Sequence, residues 1–516
     1  MAVPAGPPRR THDLLSISVL LGLALWFGLP RFGCGLDLGD EGNLAYGAVR
    51  VLQGQIPHHD FVSIQPPLAY YTVAAVFKLS GTSLWSLHTF GFCVSLLIPI
   101  LVYLVGREFL SPGLALSAAL PSICLGISFT HFVPFAVWQG AALSLGAVFC
   151  CLRATMPGPS IWGFAAGALS GAALFCRQDQ GIYVLIATGL YAAATRFVPD
   201  FESRRNALAR AMWYWVGGLA AAVVPLISYF LLKGALTDLV HQLIVFPLTV
   251  YPHTSSAPFP KLKDILAAGA NDYIALYYVV PLAVLIGMTR LVGAVVRRRF
   301  GAEEAKLVLL VAFAGLFYCQ VFARSDLPHL LVTLPPFFVL AAVEFDWLSR
   351  VIAARAKRPV FARRLAACGV AAAVAGFIWM SRLLWFHPVL PANSKFTIPR
   401  AQVRVPAAEN LQSVIQAVQQ LAVRDRSILC LPYQPMIYFL SERRNPTRWN
   451  YLWPGDQTAA DLSALIDQAR RDPPAAVLLF EEEKMQAYAA SVLDYVHANY
   501  HVAADAGGVL RIYVPN

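Results

Sequence analysis

The sequence predicts an α-helical polytopic membrane protein of about 11 transmembrane helices, with a small C-terminal α/β domain at its end. Three observations predict it. Of 516 residues, 58% are hydrophobic and only 13% charged, with mean hydropathy +0.58, whereas soluble globular chains carry about 25% charged residues. Apolar runs of about 17–22 residues, each long enough to cross a bilayer core, recur along the first three quarters of the chain. After about residue 391 the composition turns to that of a soluble domain.

The runs fall near 14–33, 85–105, 113–130, 136–152, 160–176, 181–198, 212–232, 273–290, 306–323, 327–347 and 366–386. Arg9 and Arg10 before the first run resemble the start of a signal peptide. Gly33-Cys34-Gly35 is a poor cleavage site and further spans follow, so this run reads as a retained helix. With the N-terminus cytoplasmic, the inward loops hold most of the arginines, among them Arg107, Arg153, Arg204, Arg205, Arg297, Arg298, Arg299, Arg355, Arg363 and Arg364. The net charge of +11 is thereby a topology signal of the positive-inside kind, with no nucleic-acid footprint. Seven of the nine cysteines lie in apolar runs, where Cys is a small buried hydrophobe, and the spacing suggests neither a disulfide framework nor a metal site.

This layout divides the chain into residues 1–390, the transmembrane part, and 391–516, an extracytoplasmic α/β domain. Two outward loops stand out, 34–84 and 233–272. In the first, Leu44, Ala48, Val49 and Leu52 recur at helical spacing from Asp40, with Gly54 as a stop, and a second apolar piece runs from Leu68 to Leu79 after Pro66-Pro67. Both are too short to span and read as amphipathic helices in the interface plane. The second loop, with Asp238, His241, His253, Pro258 and Pro260, reads as a non-spanning flap. In the C-terminal domain, helices are expected at 407–423, 459–471 and 485–499, and strands at 428–431, 475–480 and 509–514.

The acids of Asp37-Leu-Gly-Asp40-Glu41-Gly42 follow the first span directly. A carboxylate partly desolvated at a membrane mouth is a usable general base, and acids there are costly to place otherwise. The structural alternative is an N-cap with solvated acids at a helix start. Arg177 with Asp179, and Arg324 with Asp326 and His329, lie at two outward span ends; a guanidinium fork suits phosphate, and local ion pairs closing helix ends are the alternative. Lys261 and Lys263 add positive charge in the second outward loop. His58, His59 and Asp60 carry metal-binding side chains, but adjacent residues point apart, which favours a polar turn.

Taken together, Asp37-Leu-Gly-Asp40-Glu41-Gly42, Tyr46, Gly54, Pro57, Asp60-Phe61 and Pro66-Pro67-Leu68 resemble the first outward loop of the GT-C superfamily of integral-membrane glycosyltransferases, nearest by pattern to its family 39-like members (protein O-mannosyltransferases and lipid A aminoarabinose transferases). The resemblance implies a GT-C-like fold and transfer of a sugar from a polyprenyl-phosphate donor to a glycan, lipid or protein acceptor of the cell envelope. The place implied is the outer face of a bacterial-type inner membrane, among membrane lipids. It implies Asp40 as base, with Glu41 or Asp37 assisting; by their place at the outward face, Arg324, Arg177, Asp179, Asp326, His329, Asp60, Lys261 and Lys263 are expected around substrate and phosphate. The connection from Thr130 to Gln139 lacks the second acid of many members. A divalent cation is the one cofactor to consider. The competing readings are a transporter or flippase of lipid-linked saccharides and a non-catalytic envelope assembly protein; few mid-span ionisable groups and no inverted halves weigh against the transporter.

Overall fold

The computed structural model describes residues 9–63, 65–126, 131–155, 161–199, 201–265, 272–357, 359–385, 398–405 and 408–516. The boundary expected near 391, Thr130, the tail of the second outward loop at 266–271 and the expected helix start at 407 lie outside them. Helices dominate. In chain order they are α1 (Arg9–Gly28), α2 (Asp40–Leu52), α3 (Pro67–Ser80), α4 (Leu84–Arg107), α5 (Pro112–Ala119), α6 (Pro121–Cys124), α7 (Ala136–Ala154), α8 (Ile161–Cys176), α9 (Gln178–Thr195) and α10 (Phe201–Leu232). Then come the short α11 (Leu236–Val240), α12 (Phe246–Thr249), α13 (Tyr251–Thr254) and α14 (Leu262–Ile265), followed by α15 (Leu276–Val296), α16 (Ala302–Tyr318), α17 (Gln320–Ala323), α18 (Leu327–Arg355) and α19 (Pro359–Trp385).

Among the described residues, every expected span contains a helix. Seven helices among the described residues are long and apolar enough to cross a membrane: 11–31, 84–107, 136–154, 205–232, 276–296, 302–323 and 327–355. Four of the eleven expected spans fall short of that measure. Pro121 divides the third into α5 and α6, because proline lacks the N–H that would continue the ladder. α8 has 16 residues. α9 opens on Gln178-Asp179-Gln180, and the apolar part of the last is the shorter 364–379.

The C-terminal segment adds α20 (Ala408–Leu421), β1 (Ile428–Leu431), α21 (Met436–Ser441), α22 (Ala459–Arg471), β2 (Ala476–Phe480), α23 (Glu482–Met485), α24 (Ala490–Asn499), β3 (Tyr500–Asp505) and β4 (Leu510–Pro515). The sheet order is β1-β2-β4-β3. β1 and β2 pair in parallel, in register from Ile428 opposite Ala476, so α22 serves as the crossover that parallel strands require. Its core includes Leu429, Leu431, Leu465, Val477, Leu479 and Val496.

β3 is the element the sequence reading missed. Only Tyr500 of it is buried, so it carries no alternation of apolar residues to announce an edge strand. Its turn does carry a signal: Gly507 and Gly508 take φ +64° and +76°, both positive as a type I′ hairpin needs. Val509 N–H closes the turn on Ala506 at 3.3 Å.

The chain forms two compact units that do not follow chain order. One gathers residues 1–32, 91–226 and 257–389 and holds most of the apolar helices; the other gathers 33–90, 227–256 and 390–516. In the second unit α2 is the central helix. Glu41 to Arg50 are buried without interruption, a burial wider than one amphipathic face, because α3 covers one side and α21 another. Gly39 and Gly42, three residues apart and so on one face, explain the close approach. A Cβ on Gly39 would meet the Tyr433 ring at 2.9 Å, and one on Gly42 would meet the Met436 backbone nitrogen at 2.2 Å. α3 keeps the amphipathic character expected of it, burying Tyr70, Val73, Ala74 and Phe77.

Candidate active site

The three acids of the first loop do three different things. Asp37 and Glu41 clasp each other across the first turn: Glu41 N–H donates to Asp37 Oδ2 at 3.0 Å, and Asp37 N–H donates to Glu41 Oε2 at 2.9 Å. Gly39 N–H adds a longer bond to Asp37 at 3.3 Å. These contacts use N–H groups that a helix start would otherwise leave unpaired. The other Glu41 oxygen meets His88 Nε2 at 2.6 Å, with both side chains fully buried. Asp40, between them in sequence, is exposed, and the Tyr433 hydroxyl donates to its Oδ1. Burial, and then the Asp40 charge, raise the Tyr433 phenol well above its ordinary value, so it stays a donor. The arrangement fixes Asp40 at the tip of α2 while leaving it open to solvent.

A polar seam behind α2 holds the helix in place. Asn43 Nδ2 donates to the Tyr70 hydroxyl at 3.0 Å, Ser63 Oγ to the same hydroxyl at 2.8 Å, and Asn450 Nδ2 to Asn43 Oδ1 at 3.3 Å. Tyr46 accepts from Asn445 N–H at 2.7 Å. At the far end of α2 the buried Arg50 guanidinium donates to Asn450 Oδ1 at 2.9 Å, the Asp60 carbonyl at 3.1 Å, the Thr447 carbonyl at 3.3 Å and Gln55. It stands 4.9 Å from the Phe61 ring centroid, within cation–π range.

Asp60 accepts from Ile56 N–H at 2.7 Å and so closes the Ile56–Asp60 turn. His58 and His59 turn to different partners. His58 Nδ1 lies 3.0 Å from Gln242 Oε1, and His59 Nδ1 lies 2.7 Å from Asp238. The second outward loop, expected as a flap, is thus a run of short helices joined to the first loop. Burial pushes the His58 imidazole down to about 4 against the weaker opposing effect of its Gln242 hydrogen bond. Among the described residues, no group of three or more His, Cys, Asp or Glu is placed to hold a metal ion.

In the other unit two corners repeat one design. Arg177 and Arg324 both sit in extended backbone just before a helix, at φ −153° with ψ 104° and 109°. Each pairs through Nε with the aspartate two residues on, Asp179 at 2.9 Å and Asp326 at 2.5 Å. Asp326 also caps α18, accepting His329 N–H at 3.1 Å, and meets His329 Nδ1 at 2.5 Å. Burial pushes its pKa up, but His329 and then Arg324 outweigh that and bring it down to about 2. It is an anion throughout the working range and no proton carrier. The corners are neighbours: Gln180, three residues after Arg177, donates to Gln320, four before Arg324, at 3.1 Å. Lys261 and Lys263 are exposed, on the segment whose Ala257 carbonyl accepts Ser325 N–H at 3.2 Å.

Sequence reasoning missed His88, Tyr433 and Arg50 as parts of this arrangement. His88 is a lone histidine at the start of an apolar run, where the usual reading is a satisfied core side chain, and Tyr433 has no local signal at all. Arg50 had only its place at the end of a short helix.

Comparison with known proteins follows the geometry. Residues 64–229, about a third of the chain, match the family model described as dolichyl-phosphate-mannose-protein mannosyltransferase. No curated protein sequence matches the chain. Solved structures do. ArnT from Cupriavidus metallidurans bound to undecaprenyl phosphate aligns over 98% of this chain and 98% of its own at TM-score 0.56 and 15% identity. Its apo form aligns over 96% and 97% at TM-score 0.62 and 13% identity. The archaeal oligosaccharyltransferase AglB from Archaeoglobus fulgidus, in complex with an inhibitory peptide and a dolichol-phosphate, aligns over 98% of this chain and 74% of its own at TM-score 0.54 and 12% identity. At such identities the likeness is one of fold.

Proposed function

We propose that this chain, whose fold is that of the GT-C superfamily of integral-membrane glycosyltransferases, moves a sugar from a polyprenyl-phosphate carrier to an envelope acceptor. The observation that carries the reading is Asp40: an exposed carboxylate at the tip of a buried helix, whose two acidic neighbours are spent on holding that tip. Solved structures of the same fold contain undecaprenyl phosphate or a dolichol-phosphate, which supports a lipid-phosphate donor here.

In this reading Asp40 takes the proton of an acceptor hydroxyl as its oxygen attacks the anomeric carbon. The bond from that carbon to the phosphate oxygen breaks, and the phosphate leaves carrying the electron pair. The sequence pattern, and no structural placement beside Asp40, assigns to Arg324 and Arg177, with Lys261 and Lys263, the positive charge a leaving phosphate needs. Asp179 and Asp326 orient the two guanidinium groups. Glu41, Asp37 and Tyr433 keep Asp40 in place. In this reading the arginine-rich loops face the cytoplasm with the N-terminus, and the acids work at the outer face of the membrane.

The test uses the full chain in nanodiscs, given undecaprenyl-phosphate-linked mannose, glucose or arabinose with envelope extract as acceptor, and reads release of undecaprenyl phosphate by mass spectrometry. Wild type is expected to cleave one donor, and Asp40→Asn to lose about 10²–10⁴ in rate while remaining inserted. Undiminished transfer by Asp40→Asn removes Asp40 from the chemistry. Movement of labelled lipid across vesicles with no bond cleaved favours the transporter reading instead.

A further inference from the structure

Beside Asp40 the second unit carries an aromatic surface that the mechanism above does not use. Trp453-Pro454-Gly455-Asp456 is a type II turn: Asp456 N–H closes on the Trp453 carbonyl at 3.1 Å, with Pro454 at its second position and Gly455 at φ +85° at its third. A Cβ on Gly455 would meet Thr254 at 2.8 Å, so this turn is packed from below and cannot sag. Gln457 Oε1 accepts Trp453 N–H at 2.9 Å and fixes the start of the turn. The Trp453 side chain is nonetheless 40% exposed.

Behind it the rings stand edge to face. Tyr433 lies 6.3 Å from Trp453 at 79° and 5.6 Å from Tyr451 at 71°. Tyr451 is buried and anchors the group. Tyr433 is therefore a bridge: its ring supports Trp453, and its hydroxyl holds Asp40. An exposed, rigidly backed indole one tyrosine away from a carboxylate has the two parts that saccharide recognition requires. A sugar ring offers a face of C–H groups to the electron-rich face of an aromatic ring, and hydroxyls at its edge to an anion.

We infer that Trp453, backed by Tyr433 and Tyr451, is a shelf for the sugar ring of the acceptor, which makes the acceptor a saccharide whose hydroxyl is presented to Asp40. This rests on the glycosyl-transfer reading for Asp40, while the shelf itself rests on the turn and the rings. Tyr433 touches both parts, its ring against Trp453 and its hydroxyl on Asp40, so a sugar lying on the indole has the acid one tyrosine away. The exposed indole would also suit insertion into lipid headgroups, an outcome the experiment separates.

The full chain in nanodiscs is titrated by saturation-transfer NMR with free mannotriose, maltotriose, cellotriose and chitotriose, and separately with undecaprenyl phosphate and its hexosyl derivatives. Wild type is expected to bind at least one trisaccharide, and Trp453→Ala to weaken it about tenfold, with Trp453→Phe between the two. Bare undecaprenyl phosphate should bind all three proteins alike. Equal trisaccharide affinity in wild type and Trp453→Ala, or no binding of any trisaccharide by wild type, overturns the shelf. A loss confined to hexosyl lipids overturns the acceptor assignment and gives the shelf to the donor sugar; equal weakening of bare carrier gives Trp453 to the lipid surface. Cleavage of donor with water as acceptor, measured alongside, tests transfer without any acceptor saccharide: turnover by a wild type that binds no trisaccharide sinks the shelf alone, and saccharide binding without any turnover sinks the enzyme reading alone.

Discussion

At the scale of single residues, the site is an exposed acid, Asp40, whose neighbours Asp37, also exposed, and Glu41, buried, are bonded to each other across the first turn. Glu41 and His88, both at zero exposure, form a pair in which each is the other's solvation. Removing one side of a buried hydrogen-bonded pair leaves the remaining group without a partner and costs on the order of 3 kcal/mol. Glu41→Ala is therefore expected to lower the thermal midpoint of the purified protein sharply, and Glu41→Gln, which retains an oxygen for His88, to lower it less. Equal and small shifts in differential scanning fluorimetry would mean that the pair does not hold the helix tip. The acidic run itself was legible in the sequence. Its division of labour was not, because Glu41 is defined by a histidine 47 residues away and Asp40 by a tyrosine 393 residues away. No local pattern encodes either partner.

At the scale of elements, α2 shows why a glycine follows directly on the acids. Alanine is normally the better helix former by about 1 kcal/mol, so Gly42→Ala would ordinarily stabilise. Here the added methyl would lie 2.2 Å from the Met436 backbone nitrogen, and α2 and α21 must part to admit it. Overpacking of this kind costs about 1–3 kcal/mol. Gly22→Ala, in α1 with nothing within 4 Å, is the matched control. Limited proteolysis should cut the 431–457 region faster in Gly42→Ala and unchanged in Gly22→Ala; no difference between them would disprove the close docking. Helix boundaries, strands β1 and β2 and the crossover helix α22 follow from local periodicity and caps, since those forces act within a few residues. β3 escaped for the same reason: an exposed edge strand is made by its partner, not by its own pattern.

At the scale of the whole molecule, the second unit is assembled from three stretches distant in sequence, 33–90, 227–256 and 390–516. His58 is one of the joints between the first two, through Gln242. With its folded value near 4 against 6.5 unfolded, the unfolded chain binds more protons between those values. The joint is fully effective above pH 6.5 and weakens as pH falls towards 4, by about 3 kcal/mol in all. Amide exchange in 236–249, referenced to intrinsic rates, should therefore lose protection from pH 7 to pH 5 in wild type, and His58→Gln should remove that dependence. Protection that does not change with pH would contradict it. The sequence by itself determined the membrane class, the helical spans, the outline of the α/β segment and the acidic run, because hydrophobic length and residue periodicity are local quantities. Only the tertiary structure decided which acid is buried, what holds Asp40 and which aromatic rings stand beside it, because burial and hydrogen-bond partnership arise when residues far apart in the chain are brought into contact.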